Sequence, residues 1–275
     1  MESSLCDYFW SSLCITIVTL YFLLNFIVDQ WISTKVRKNI LVTGCDSGFG
    51  LQTALELSES NCHVFASCLT QDGVDRLQND SKFQGMAFIM DVTKEDDVQK
   101  AKEIIEQNGD LDGIVNNAGI AFPALFEWQS IEFMKKTFEV NFWGTVRVAK
   151  VMLPLLKKSR GRIVNLTSMT ANKDHLRKIW LKGFNEQPEE IREQYSKADC
   201  EKFLDTMFSR ITYNKDISDV SGKIKHALLS PLPRRRYMVG KDAFIWVLLS
   251  HLPTLVADFS LGIHLPALRP KINQH

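Results

Sequence analysis

The chain has 275 residues, a formal net charge of +1 and 45% hydrophobic residues, enough for one α/β domain with a substantial core. Its balanced charge leaves no electrostatic footprint for nucleic acid. Cys6, Cys14, Cys45, Cys62, Cys68 and Cys200 form no Cys-x-x-Cys pair and the histidines show no ligand spacing, which argues against a metal site and for reduced thiols.

In chain order, an uncharged run, YFWSSLCITIVTLYFLLNFIV, fills residues 8–28, close to the roughly 20 residues a helix needs to cross the hydrocarbon core. No basic segment precedes it and no small-x-small site follows, so it does not read as a signal peptide. A buried core helix is the bland alternative. Glu2 and Asp7 lie before the run and Lys35, Arg37 and Lys38 after it. That asymmetry predicts a membrane anchor with the rest of the chain on the cytosolic side.

A buried strand is predicted at 39–44 (NILVTG), with helical periodicity from Phe49. Further strands are predicted at 62–67, 86–90, 112–116 and 161–166, separated by helical stretches such as 94–108 and 129–159. Five strands alternating with helices predict a Rossmann-like, doubly wound parallel sheet. Beyond Ala171 the alternation stops, and the remainder reads as helical or irregular, with turn punctuation in SPLPRRR at 230–236. The expected organisation is an anchor with its basic flank at 1–38, a dinucleotide-binding domain at 39–170 and a helical substrate-side region at 171–275.

The first strand runs into TGCDSGFG at 43–50, a glycine-rich loop between a strand and a helix. Gly44 permits the tight turn, and Gly48 and Gly50 let backbone and helix approach a pyrophosphate at the helix N-terminus. Thr43, Ser47 and Phe49 belong to the same loop. Asp91, in MDVT at 90–93, can accept from an adenine amino group. Asn117, Ala118 and Gly119, in NNAG at 116–119, place backbone against the adenosine side.

Together these motifs resemble the short-chain dehydrogenase/reductase family. TGCDSGFG, VFASCLT at 64–70, LDGIVNNAGI, EVNFWGTV at 139–146 and GRIVNLTS at 161–168 are similar to its membrane-bound retinol and 17β-hydroxysteroid dehydrogenase branch. The resemblance implies hydride transfer between a nicotinamide dinucleotide and a hydrophobic alcohol or ketone, at the endoplasmic reticulum membrane. The second strand ends without a carboxylate for the ribose 2′-hydroxyl, but the loop at Cys45 to Phe49 offers no basic residue for a 2′-phosphate. On balance this favours NAD.

The family's catalytic groups are a tyrosine acid/base, a lysine one turn later that lowers its pKa, a serine and an asparagine. By position, Asn141 matches the asparagine and Ser168 the serine; their bland alternatives are a helix-bending polar residue and a strand-end hydroxyl. The tyrosine is expected about twelve residues after Ser168, where Trp180 and Leu181 stand instead. The sequence passes from Thr170-Ala171 to RKIW at 177–180, which resembles the family's segment after the sixth strand. The block with the catalytic helix and sixth strand is therefore expected to be missing. Tyr195 and Lys197 are two apart and point to different helix faces. Tyr237 and Lys241 have helical spacing, but Pro231, Pro233 and Gly240 argue against a helix there. The stretch 242–262 is apolar but interrupted by His251, Pro253 and Asp258, which disfavours a second span. Two functions remain: a membrane-anchored oxidoreductase, impaired in this chain, or a non-catalytic dinucleotide-binding pseudoenzyme or exon-skipped isoform.

Overall fold

The computed structural model describes residues 36–121, 125–167, 173–210 and 217–240, with scattered positions between 10 and 32 and between 247 and 259. Five strands, β1 (Lys38–Thr43), β2 (Cys62–Cys68), β3 (Gly85–Ile89), β4 (Gly113–Asn116) and β5 (Arg162–Asn165), form one sheet in the order β3-β2-β1-β4-β5. Every pairing is parallel, with Ile40 opposite Val64 and Gly113. Connecting them are α1 (Gly48–Ser58), α2 (Gln71–Gln78), α3 (Glu95–Asn108), α4 (Ile131–Phe138) and α5 (Thr145–Ser159), followed by α6 (Lys173–Asn185), α7 (Glu189–Gln194), α8 (Lys197–Arg210) and α9 (Ser218–Leu229). The sequence-predicted strands thus appear in place.

Side chains alternate across the sheet, so each strand feeds two cores. Ile40, Val42, Val64, Ala66 and Val115 face one side, where α1, α2 and α9 cover them with Ala54, Leu57, Val74, Leu77, Ile224 and Leu228. Leu41, Phe65 and Ile114 face the other, under Val98, Ala101 and Ile105 of α3 and Val148, Met152 and Leu155 of α5. The acids Glu95, Asp96 and Asp97 open α3, where they oppose the helix dipole. Thr70 caps α2 by accepting from the Gly73 amide, and Ser130 caps α4 by accepting from the Phe133 amide (both 3.1 Å).

The helix expected at 129–159 is divided. A π-helical segment, Glu139–Gly144, lies between α4 and α5. The Arg147 guanidinium holds it by donating to Glu139 Oε1 (2.8 Å) and the Val92 carbonyl (2.7 Å).

Among the described residues β5 is a sheet edge. β4 is buried at all its positions, whereas β5 alternates half-buried with exposed, leaving Ile163 40% accessible. Phe142, Val146 and Leu153 along the neighbouring α5 side are exposed too. On the opposite core α9 does reach β5: Arg162 Nη1 donates to the carbonyls of Ala227, Leu228 and Ser230 (3.0, 3.0 and 2.7 Å), satisfying orphan acceptors at the end of α9.

The run 8–28 lies largely outside the described residues. Its described positions are helical, with Trp10, Ile15, Ile17, Leu20 and Leu23 exposed. Among the described residues no helix is long and apolar enough to cross a membrane.

Candidate dinucleotide site

In an open parallel sheet, ligands bind beyond the carboxyl ends of the strands where the strand order reverses. Here that point lies between β1 and β4, whose following connections leave in opposite directions. A cleft of about 1980 Å³ opens there, lined by the loop after β1, the ends of β3 and β4, and Asn141.

The seam between β1 and β4 is closed by two side chains. Thr43, 1% accessible, accepts through Oγ1 from the Asn117 and Ala118 amides (both 3.0 Å). Asn117 in turn donates through Nδ2 to the carbonyls of Thr43 (2.8 Å) and Gly44 (3.0 Å). Two residues read from sequence as cofactor contacts therefore have a structural task first: they fix the glycine loop to the end of β4.

The loop then delivers α1. A Cβ on Gly50 would lie 2.2 Å from the Gly44 carbonyl oxygen, so only glycine lets the helix start this close to the strand. Gly48 has φ +63°, and a Cβ there would meet nothing within 4 Å. Its open side faces the cleft it lines. No acid stands in the first turn of α1, and Ser47 makes no side-chain capping bond. The helix's own first turn thus brings no negative charge to its positive end, which suits a pyrophosphate. Asn116 adds a polar group: it donates to Asn165 Oδ1 (2.9 Å), while its own Oδ1 is buried with no protein partner among the described residues. Glycine cradle, free helix end and orphaned buried acceptor all fit a nicotinamide dinucleotide.

Asp91 lines the cleft after β3. Burial opposes its ionisation, but the Thr93 hydroxyl and amide (2.7 and 2.9 Å to Oδ1), with Lys94 and Lys136, outweigh burial and hold the carboxyl below its ordinary value. Gly119 lies beside Asn141: a Cβ added there would be 3.3 Å from Asn141 Oδ1. Asn141 sits in the π segment, and its amide is spent on the Ile120 backbone, accepting from N–H and donating to C=O (both 2.8 Å). Ser168 lies outside the described residues.

The catalytic half contrasts with this. No tyrosine lines the cleft among the described residues. Trp180 is 3% accessible and turned into a separate aromatic core with Trp128 (4.6 Å between ring centroids), Phe184 and Tyr195. Burial, then a hydrogen bond to Glu127, pushes the Tyr195 hydroxyl up to about 12, the wrong direction for a proton acceptor near neutrality. Tyr237 bonds His226 Nδ1 (2.6 Å) and accepts from the Arg234 amide (2.9 Å), in a stretch that is not helical. Its distant partner Lys241 lies outside the described residues. Sequence reasoning passed over Lys136, Lys182 and Trp128, which also line the cleft. No motif marks them, because only the packing of separate elements brings them to the cleft.

The fold and site define a dinucleotide-binding domain of the Rossmann type. The family model for short chain dehydrogenases matches residues 38–178. The chain is 30% identical to a mouse protein, short-chain dehydrogenase/reductase family 9C member 7, over 84% of its own length and 90% of the relative's. It is 32% identical to mouse retinol dehydrogenase 16 (89% and 94%) and 32% identical to bovine 17-beta-hydroxysteroid dehydrogenase type 6 (88% and 93%). The chain belongs to the short-chain dehydrogenase/reductase family, in the branch that includes these retinol and hydroxysteroid dehydrogenases. The first alignment extends over 286 residues, of which 84% of a 275-residue chain supplies about 231. About 55 positions of that alignment therefore have no counterpart in this chain.

Proposed function

We propose that this chain is a membrane-anchored short-chain dehydrogenase/reductase that retains dinucleotide binding, with NAD preferred, and is impaired in hydride transfer. Its substrate class is a retinoid or steroid alcohol or ketone, the class named by its relatives. One observation carries the reading: the cleft is complete on the glycine-loop side, while no tyrosine lines it among the described residues. The unmatched alignment positions support the loss of an internal block. Asn141 and Ser168 are the catalytic positions that remain.

When bound, the dinucleotide supplies a hydride donor or acceptor. Gly44, Gly48, Gly50 and the start of α1 would hold its pyrophosphate. Asp91 would face the adenine, and the backbone at Asn117, Ala118 and Gly119 the adenosine. A hydroxyl or carbonyl brought to the nicotinamide would meet no tyrosine among the described residues to exchange its proton, and general acid–base assistance of about 10²–10⁴-fold would be lost. Anchoring through residues 8–28 would keep the cleft near membrane-dissolved substrate, on the cytosolic face of the endoplasmic reticulum. The exposed apolar side chains of that run, and the Thr16 and Thr19 hydroxyls returned to the Ser12 and Ile15 carbonyls (both 2.8 Å), suit hydrocarbon.

The alternative, a pseudoenzyme with no residual chemistry, differs only in the size of that loss. Single-turnover NADH formation by detergent-solubilised full-length chain, with all-trans-retinol and with an androstane 3α- or 17β-alcohol, separates the two. A slow NADH signal that scales with protein supports impairment, and none supports the pseudoenzyme. Turnover at the rate of an intact relative would refute both.

A further inference from the structure

Asp46 stands in the glycine loop between β1 and α1. Its carboxylate reaches across to the turn after β2. Oδ2 accepts from the Leu69 amide (2.8 Å), and Oδ1 accepts from the Thr70 amide (2.9 Å) and the Thr70 hydroxyl (2.6 Å). The loop backbone follows it, since the Cys45 amide donates to the Ser67 carbonyl (2.8 Å) and extends the β1–β2 ladder. Gly73 leaves the room: a Cβ there would lie 2.7 Å from Asp46 Oδ1. The carboxylate therefore rests over the first turn of α2, at the positive end of that helix, and takes two backbone donors of the β2–α2 turn.

That turn matters because, in this fold, the end of β2 meets the adenosine ribose, and the group there discriminates a 2′-hydroxyl from a 2′-phosphate. Asp46 and Leu69 both line the cleft. We propose that Asp46 is the determinant of NAD over NADP in this chain: an internal carboxylate occupies the donors, and supplies the charge, that a 2′-phosphate would have to displace and face. The inference rests on the dinucleotide-binding reading above and deepens it.

Arg76 is the opposing group. Its Nη1 donates to the Asp46 main-chain carbonyl (2.7 Å), which ties the guanidinium to the same loop. Cys68, at the end of β2, feels both charges. After burial, Asp46 raises its thiol more than Arg76 lowers it, and the thiol is pushed up to about 12. No carboxylate stands at the end of β2 itself, the usual place for an NAD-selective acid. The charge comes from the neighbouring loop instead, through three hydrogen bonds.

The test uses the full-length chain in detergent and two probes, ADP-ribose and 2′-phospho-ADP-ribose, titrated calorimetrically. The native chain is expected to bind ADP-ribose on the order of tenfold or more tightly than the phosphorylated probe, the effect of one like charge at a partly solvated site. In Asp46→Asn, which loses the charge but keeps an acceptor oxygen for Thr70, the ratio is expected to fall to about threefold or less. In the native chain the ratio should also narrow as salt is raised, a readout that needs no variant. Equal binding of the two probes by native protein would overturn the inference and leave dinucleotide binding intact. So would a ratio unchanged in Asp46→Asn, or one insensitive to salt. Failure of ADP-ribose to bind at all would instead sink the dinucleotide reading and the inference with it.

Discussion

Replacing Thr43 with valine keeps the shape of a buried side chain and removes one oxygen. That oxygen accepts from two backbone amides, Asn117 and Ala118, at 3.0 Å each, and also bonds the Val115 carbonyl at 3.4 Å. No other acceptor is bonded to those amides among the described residues. A buried donor left without its partner costs about 1–3 kcal/mol. Both amides are only part-buried, so the low end of that range applies, about 1–1.5 kcal/mol each, giving about 2–3 kcal/mol for the pair. Against a typical stability of about 5–15 kcal/mol this is large. At an m-value of about 2 kcal/mol/M, the urea midpoint should fall by roughly 1–1.5 M. Thr43→Ser, which keeps the hydroxyl, should lose less than half as much. The assay is urea unfolding of the solubilised chain followed by tryptophan fluorescence, since Trp128 and Trp180 report on the side of the cleft. The Asn117 clamp on Gly44 should loosen in parallel, weakening ADP-ribose binding in the valine variant. An unchanged midpoint in Thr43→Val, or a serine variant as damaged as the valine one, would refute the claim that this hydroxyl closes the β1–β4 seam.

Asn79 in the Asn79-Asp80-Ser81 sequon is exposed at the end of α2, so an endoglycosidase-sensitive mass shift abolished by Asn79→Gln would overturn the cytosolic orientation; none is expected. The lowered Asp91 value means folding favours its carboxylate. That contribution is whole above the ordinary aspartate range and is lost as pH falls through the lower folded value. Asp91→Asn should therefore lower stability at neutral pH, flatten the acid limb and leave stability at low pH comparatively untouched, as acid titration of unfolding would reveal. Inserting a family-length block with Tyr-x-x-x-Lys after Ala171 should pair the exposed edge of β5 and cover Ile163, raising solubility and activity together; a repaired chain no more soluble than the native one would count against the missing strand. Arg162→Leu removes the donor to three carbonyls at the end of α9 and should release that helix, seen as faster amide exchange over residues 218–229.

Strand positions were legible in the sequence because each strand is an apolar run bounded by turn residues, and the parallel order follows from alternation with helices. The sequence pattern also leads to the expectation of an edge at β5, through the block expected to be missing after Ala171. The π segment was not. It interrupts an otherwise helical pattern at 139–144, and hydrophobic periodicity is blind to a single inserted turn. Asp46 was visible within TGCDSGFG, but its role depends on β1 and β2 lying side by side, which brings Leu69 and Thr70 to a residue more than twenty positions earlier. The aromatic core around Trp128 and Trp180 was equally hidden. Trp180, noted for standing where a tyrosine was expected, belongs to that core and not to the cleft wall. Asn117, read as a cofactor contact, is also a backbone clamp, a task that only the closed seam reveals.

The proposed function requires that the cleft still binds a dinucleotide while, among the described residues, it has no tyrosine to move the substrate proton. Its most direct test combines two readings on one preparation of full-length chain: calorimetric NAD binding, and single-turnover NADH formation with retinol. Saturable NAD binding, with NADH formation slower than in an intact relative by a factor on the order of 10² or more, is the predicted result. NADH formation at the relative's rate, from a chain whose cleft has no tyrosine among the described residues, would contradict it.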